Sequence, residues 1–132
     1  MEAVPFRDAT YFDNWYADLT SSPLRDAIVT RALGLPPDLQ STSLLSWQGI
    51  AQMTGELQLP QDGVLVDLAC GRGGYGIEVC LRTGARLVGV DISTVAVEQG
   101  RRAVPACCAR DGRSSRSAPC SRAGWQQASR TA

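Results

Sequence analysis

Between residues 64 and 103 the spacing of apolar positions alternates between two periods. Val64, Leu65, Val66 and Leu68 form a short, nearly continuous apolar run, rich in β-branched and aliphatic residues and too short for a helix, so it predicts a strand. From Gly74 to Arg82 the apolar residues Ile77, Val79, Cys80 and Leu81 predict a helix, with Thr83-Gly84 as its stop. Leu87-Val88-Gly89-Val90 predicts a second strand, and Ser93 is placed to cap a helix through Val95, Val97 and Glu98 to Arg102. Strand, helix, strand and helix at this spacing make a βαβα unit. Its almost wholly apolar strands predict a sheet covered by helices on both faces.

Upstream of residue 61 the pattern is helical. Tyr11 to Ala17 is aromatic-rich and predicts a short helix. Ser22-Pro23 reads as an N-cap followed by proline at the first helical position, and Gly34 is placed to end that second helix. Trp47, Ile50, Ala51, Thr54 and Leu57 share one helical face and predict a third helix from about Ser46 to Leu57. Pro60-Gln61-Asp62-Gly63 is a turn signal leading into the first strand. The chain therefore divides into a helical N-terminal cover over 1–60, a partial Rossmann-like unit over 61–104, and a third segment over 105–132. The predicted fold class is α/β, an incomplete doubly wound sheet.

The third segment has no Val, Ile, Leu, Met, Phe or Tyr, and Trp125 is its one large apolar residue. Such a stretch has too little apolar surface to offset the entropy of ordering, which predicts a disordered basic tail. Charge changes at the same place. Residues 1–104 hold eight Arg against twelve Asp or Glu, whereas 105–132 hold five Arg against one Asp. Three readings stand for this segment: a basic arm for nucleic acid, a solvated tail, or sequence read out of frame near codon 104. The third is preferred, because Arg, Ala, Ser, Gly, Pro, Cys and Trp are what GC-rich DNA encodes off frame. Translating the other two downstream frames checks it, and the idea fails if neither yields alternating apolar strands and amphipathic helices.

Overall charge is zero, so nothing global draws the 132-residue chain to nucleic acid or a membrane. There is no His and no Lys, and the five Cys include no C-x-x-C pair, so no metal site is expected. The first thirteen residues carry Glu2, Asp8 and Asp13 and no long apolar run; no signal peptide or membrane span is read, and a cytoplasmic location is expected.

The candidate chemistry lies where the first strand opens into Ala69-Cys70-Gly71-Arg72-Gly73-Gly74-Tyr75-Gly76. A strand feeding a glycine-rich turn and then a helix directs backbone N–H groups and a positive helix end at one spot. Asp91 ends the second strand, twenty residues after Gly71, where a carboxylate can accept two hydrogen bonds from ribose hydroxyls. Gly71, Gly73 and Gly76 also satisfy the dinucleotide pattern. Asp67, four residues before Gly71, argues against it: a carboxylate there would repel a pyrophosphate, whereas a sulfonium cofactor bearing an ammonium group has the opposite preference.

Val66-Asp67-Leu68-Ala69-Cys70-Gly71-Arg72-Gly73-Gly74 resembles motif I of class I S-adenosylmethionine-dependent methyltransferases, and Val88-Gly89-Val90-Asp91-Ile92-Ser93 resembles the acidic strand end that follows it. The resemblance spans roughly residues 10–104. It implies S-adenosylmethionine as cofactor, with Asp67 near its amino group, Gly71 and Gly73 along its methionine and ribose part, Asp91 on the ribose hydroxyls and Ile92 against adenine. Ala69 stands where the motif often has its first glycine, and its small side chain is expected to cost little. The implied activity is methyl transfer to a small molecule, in a chain holding two strands where the family fold has seven, so a truncated and inactive form is also expected.

Two alternatives are a nicotinamide- or flavin-dependent oxidoreductase fragment and a non-catalytic binding protein using the basic tail. No catalytic base is identified. Cys70 reads as a small buried filler rather than a nucleophile. Tyr11, Trp15, Tyr16 and Trp47 read either as an aromatic lid over the sulfonium or as helix-packing residues, with packing preferred.

Overall fold

A computed structural model describes residues 6–40, 43–110 and 124–128, with the backbone alone of 105–110. In chain order its elements are α1 (Ala9–Thr20), α2 (Pro23–Leu33), α3 (Trp47–Leu57), β1 (Val64–Leu68), α4 (Gly74–Thr83), β2 (Arg86–Asp91), α5 (Thr94–Arg110) and β3 (Gly124–Gln127). The three strands form one parallel sheet in the order β1-β2-β3. Register places Leu65 beside Leu87, Asp67 beside Gly89, and Gly89 beside Trp125.

The βαβα unit is present as its periodicity predicts. The main core lies on one face of the sheet, where Leu65, Leu87 and Trp125 pack with Ile77, Cys80 and Leu81 of α4 and Val104 of α5. Two right-handed crossovers that step the same way along a sheet put both helices on one face. Among the described residues both crossover helices lie on that one face, and on the opposite face Val64, Val66 and Leu68 are 45%, 55% and 73% exposed. Among the described residues the order runs β1-β2-β3 with no strand on the far side of β1, so the winding does not reverse within them.

The boundary at Pro105 does not end the order. Helix α5 continues to Arg110, and 124–127 pair with β2 as β3, so two stretches of the segment expected to be disordered are structured. Trp125 supplies the reason. Its ring lies against Gly73, Gly89 and Gly100, so that a Cβ on any of the three would press into it. One large ring thus provides packing that the composition of the segment as a whole does not suggest. The rest of that segment, 111–123 and 129–132, lies outside the described residues.

The N-terminal helices begin and end close to their sequence signals. Asp8 caps α1, its Oδ1 accepting from Tyr11 N–H at 2.9 Å, and Ser46 Oγ caps α3 by accepting from Gly49 N–H at 3.1 Å. Gly34 closes α2 at φ +66°, but Ser22 makes no side-chain cap bond there. The inward face of α3 is rotated from the expected one: Ile50 is fully buried and Met53 packs beside it, while Ala51 and Leu57 are exposed. α3 lies on α4, with Ile50 and Val79 in one cluster. α1 lies on α5, with Tyr16 and Leu19 packed on Ala96. α2 buries no residue of its own and is tied down by Asp26, whose carboxylate takes two hydrogen bonds from Arg72 at 2.8 and 3.0 Å.

Candidate functional site

The turn after β1 is held in shape by its own backbone and by Asp91. Cys70 N–H donates to Val90 O at 3.1 Å, and Gly73 N–H donates to Cys70 O at 2.8 Å. Ala69, Gly71 and Gly73 sit at φ +57°, +54° and +71°, so every second residue is left-handed. Glycine adopts this freely; alanine does so at a cost of about 1–2 kcal/mol. The expectation that Ala69 costs little is corrected on that ground.

Asp91 is 7% exposed. Its Oδ2 accepts from Gly71 N–H at 2.7 Å and its Oδ1 from Ser93 N–H at 2.8 Å. Each carboxylate oxygen can accept a second donor, so Asp91 keeps capacity for a diol while being fixed by the backbone on both sides. Asp67 points to the α4 side of the sheet, with its Oδ2 only 2.7 Å from where a Cβ on Gly76 would stand. Gly76 is therefore required by Asp67. Burial raises the Asp67 pKa above 3.8 and the charge of Asp91 raises it further. Among the described residues neither carboxylate has an ion-pair partner, although Arg72 between them is paired with Asp26.

Two cavities meet at Ala69. One, of about 370 Å³, is lined by Asp67, Ala69 and Gly73 together with Met53, Leu57 and Val66. The other, of about 590 Å³, is lined by Ala69, Asp91 and Ile92 together with Phe12, Trp15 and Tyr16. The structure thus places Asp67, Ala69 and Gly73 on one cavity and Ala69, Asp91 and Ile92 on its neighbour, both at the carboxyl ends of β1 and β2. Gly71 lines neither cavity; its N–H is spent on Asp91. Gly73 has a second duty, since its bare α-carbon faces the Trp125 ring.

The four aromatics divide. Trp15 and Tyr16 line the cavity beside Asp91, where they stack edge to face with ring centroids 4.9 Å apart. Tyr11 is 41% exposed beneath Arg7, and Trp47 lies under the Arg82 guanidinium on the far side of α4. Burial first, then the charges of Asp67 and Asp91, push the Cys70 thiol up to about 12, which disfavours the thiolate. Among the described residues no cluster of Cys, Asp and Glu could hold a metal ion.

Four residues at or beside the site, Phe12, Arg72, Asp26 and Asp13, escaped the sequence reading. Phe12 carries the same aromatic signal as its neighbours and could have been found. The buried Arg72–Asp26 pair joins residues 46 apart, and Asp13 meets Ser93 across 80. Only the folded chain shows such partners.

No protein-family model matches the chain, and no curated protein matches it. Solved structures do. An S-adenosylmethionine-dependent methyltransferase from Thiobacillus denitrificans, in complex with S-adenosylhomocysteine, superposes on 63% of this chain with a TM-score of 0.50 and 18% identity. One from Geobacter sulfurreducens, also with S-adenosylhomocysteine, covers 79% with a TM-score of 0.51 and 14% identity. Phosphoethanolamine N-methyltransferase 2 from Haemonchus contortus, with S-adenosylmethionine, covers 96% with a TM-score of 0.55 and 12% identity. The chain spans 29%, 36% and 25% of those proteins' lengths. At such identities the likeness is one of fold, and the fold is that of class I methyltransferases.

Proposed function

We propose that this chain, with its methyltransferase fold, binds S-adenosylmethionine across the two cavities and belongs to a methyl-transfer enzyme acting on a small molecule in the cytoplasm. One observation carries the reading. Two carboxylates, part-buried Asp67 and buried Asp91, flank a glycine turn, and Arg72, which lines the cavity beside Asp67, is paired with Asp26. A hollow of that sign favours a cationic ligand and disfavours a pyrophosphate. Charge also speaks for a small acceptor, since a chain of zero net charge has no general attraction for nucleic acid. Among the described residues no helix is long and apolar enough to cross a membrane.

The residues present fit the cofactor. Asp91 would take the ribose hydroxyls, held by Gly71 and Ser93 so that little reorganisation is needed on binding. Ile92 and the α1 aromatics would give adenine an apolar slot. Asp67 would face the ammonium group, and the positive charge would relieve its burial and its repulsion from Asp91. When bound, the cofactor supplies a methyl group on a sulfonium. The part of this chain is to orient it and to keep water from it, which is where proximity catalysis begins.

Titration calorimetry with S-adenosylhomocysteine, adenosine and NAD tests the proposal. S-adenosylhomocysteine should bind and NAD should not. Asp67→Asn should weaken S-adenosylhomocysteine about tenfold while leaving adenosine, which lacks the ammonium group, nearly unchanged. Binding of NAD without S-adenosylhomocysteine would overturn the assignment.

A further inference from the structure

Helix α1 reaches the hollow through more than its aromatics. Asp13 lies beside Phe12 but does not line either cavity. Its Oδ1 accepts from Ser93 Oγ–H at 2.7 Å and from Val95 N–H at 3.1 Å. Ser93 is fully buried, and its Oγ accepts in turn from Ala96 N–H at 3.1 Å, capping α5. Ser93 N–H donates to Asp91 Oδ1, and Asp91 Oδ2 accepts from Gly71 N–H. One unbroken hydrogen-bonded path, Asp13–Ser93–Asp91–Gly71, joins the N-terminal helix to the glycine turn.

Chemistry gives the path a direction. A serine hydroxyl has one proton, and Asp13 takes it. With the proton pointed at α1, the oxygen presents lone pairs to Ala96 N–H, and only the backbone of Ser93 is left to engage Asp91. Without Asp13 the hydroxyl proton has no acceptor on α1, and the carboxylate two residues away becomes a competing one. Asp13 thus keeps Asp91 available for an outside donor.

We propose that Asp13 is a positioning residue for Asp91, so that the seating of α1 and the orientation of the ligand-holding carboxylate are a single event. The proposal rests on Asp91 as the ribose acceptor, and its test separates the two. Asp13→Ala, Asp13→Asn and Ser93→Ala are made in the full chain. Without ligand, hydrogen exchange at the Gly71 amide should speed up at least tenfold in Asp13→Ala, while amides within α4 stay protected. Asp13→Asn keeps an oxygen that can accept both bonds and should restore protection. With S-adenosylhomocysteine as probe, Asp13→Ala should bind about tenfold more weakly and Asp13→Asn within threefold of the parent, while Ser93→Ala, which removes the competing hydroxyl and keeps the backbone N–H on Asp91, should lose less than Asp13→Ala. Adding Asp13→Ala to Asp91→Ala should weaken binding no further. An unchanged Gly71 exchange rate, or equal losses in Asp13→Ala and Asp13→Asn, overturns the positioning role whatever the ligand. Absence of S-adenosylhomocysteine binding to the parent chain counts against the cofactor reading and leaves the exchange result to decide this one.

Discussion

Asp67 works against the stability of the fold it helps to define. Its pKa is raised by burial and then by Asp91, so the folded chain holds the proton more tightly than the unfolded one. Its contribution to stability is full below pH 3.8 and is lost as pH rises through the higher folded value. Replacing it by asparagine should therefore raise the unfolding midpoint at pH 7, by roughly 2 °C because water still screens a part-buried carboxyl. The gain should fade as pH falls towards the acid limit. A thermal scan of Asp67→Asn across pH checks this, and an unchanged midpoint at pH 7 would show that the carboxylate is not strained by its surroundings. The same substitution is the one expected to weaken S-adenosylhomocysteine, so on the proposed function stability and binding oppose each other at one carboxylate. At this scale the sequence located the carboxylates at the strand ends and was silent about how they are held. Asp91 and Ile92 were legible because a strand end followed by a carboxylate is a local pattern. The left-handed strain at Ala69 and the partners of Arg72 and Asp13 were not, because both depend on contacts or dihedrals that no local pattern encodes.

Among the elements, β3 stands or falls with one ring. Trp125 rests against glycines from the turn, from β2 and from α5. Trp125→Ala would leave a void over all three and should cost about 3 kcal/mol. Urea unfolding measures it, and exchange at the amides of β2 that face β3 should rise in parallel; a midpoint equal to the parent would mean that the strand is not docked. Periodicity located β1, α4, β2 and the start of α5, since each is long enough for its spacing to show. It could not locate β3, four residues whose burial pattern depends on a single side chain. It also placed the inward face of α3 too far towards Ala51, because the tertiary partner, Val79 of α4, lies under Ile50.

For the whole molecule the open side of the sheet is the dominant feature. β1 is an edge, and its outward face is apolar. Among the described residues that edge carries no lysine, proline or bulge, and the inward-pointing charge of Asp67 is its one feature that discourages strand-to-strand pairing. Val64 lines no cavity and is 45% exposed, so Val64→Arg should leave cofactor affinity and the unfolding midpoint nearly unchanged while raising the concentration at which light scattering begins. Scattering that sets in at the same concentration would show that association runs through another surface. The fold class was legible at this scale, because two strands and two helices in alternation fix it; the one-sided winding was not, because it follows from the spatial order of three strands, one of which carries no periodic signal.

The Trp125 ring also sets a schedule. During synthesis the turn, β2 and α5 leave the ribosome before Trp125, which lies 25 residues after Gly100. At about 5–20 residues per second, the slot left by Gly73, Gly89 and Gly100 stays unfilled for roughly one to five seconds. During that interval the nascent chain has a ready-made aromatic receptor with no aromatic to fill it, and packing around the glycine turn is complete only when β3 arrives.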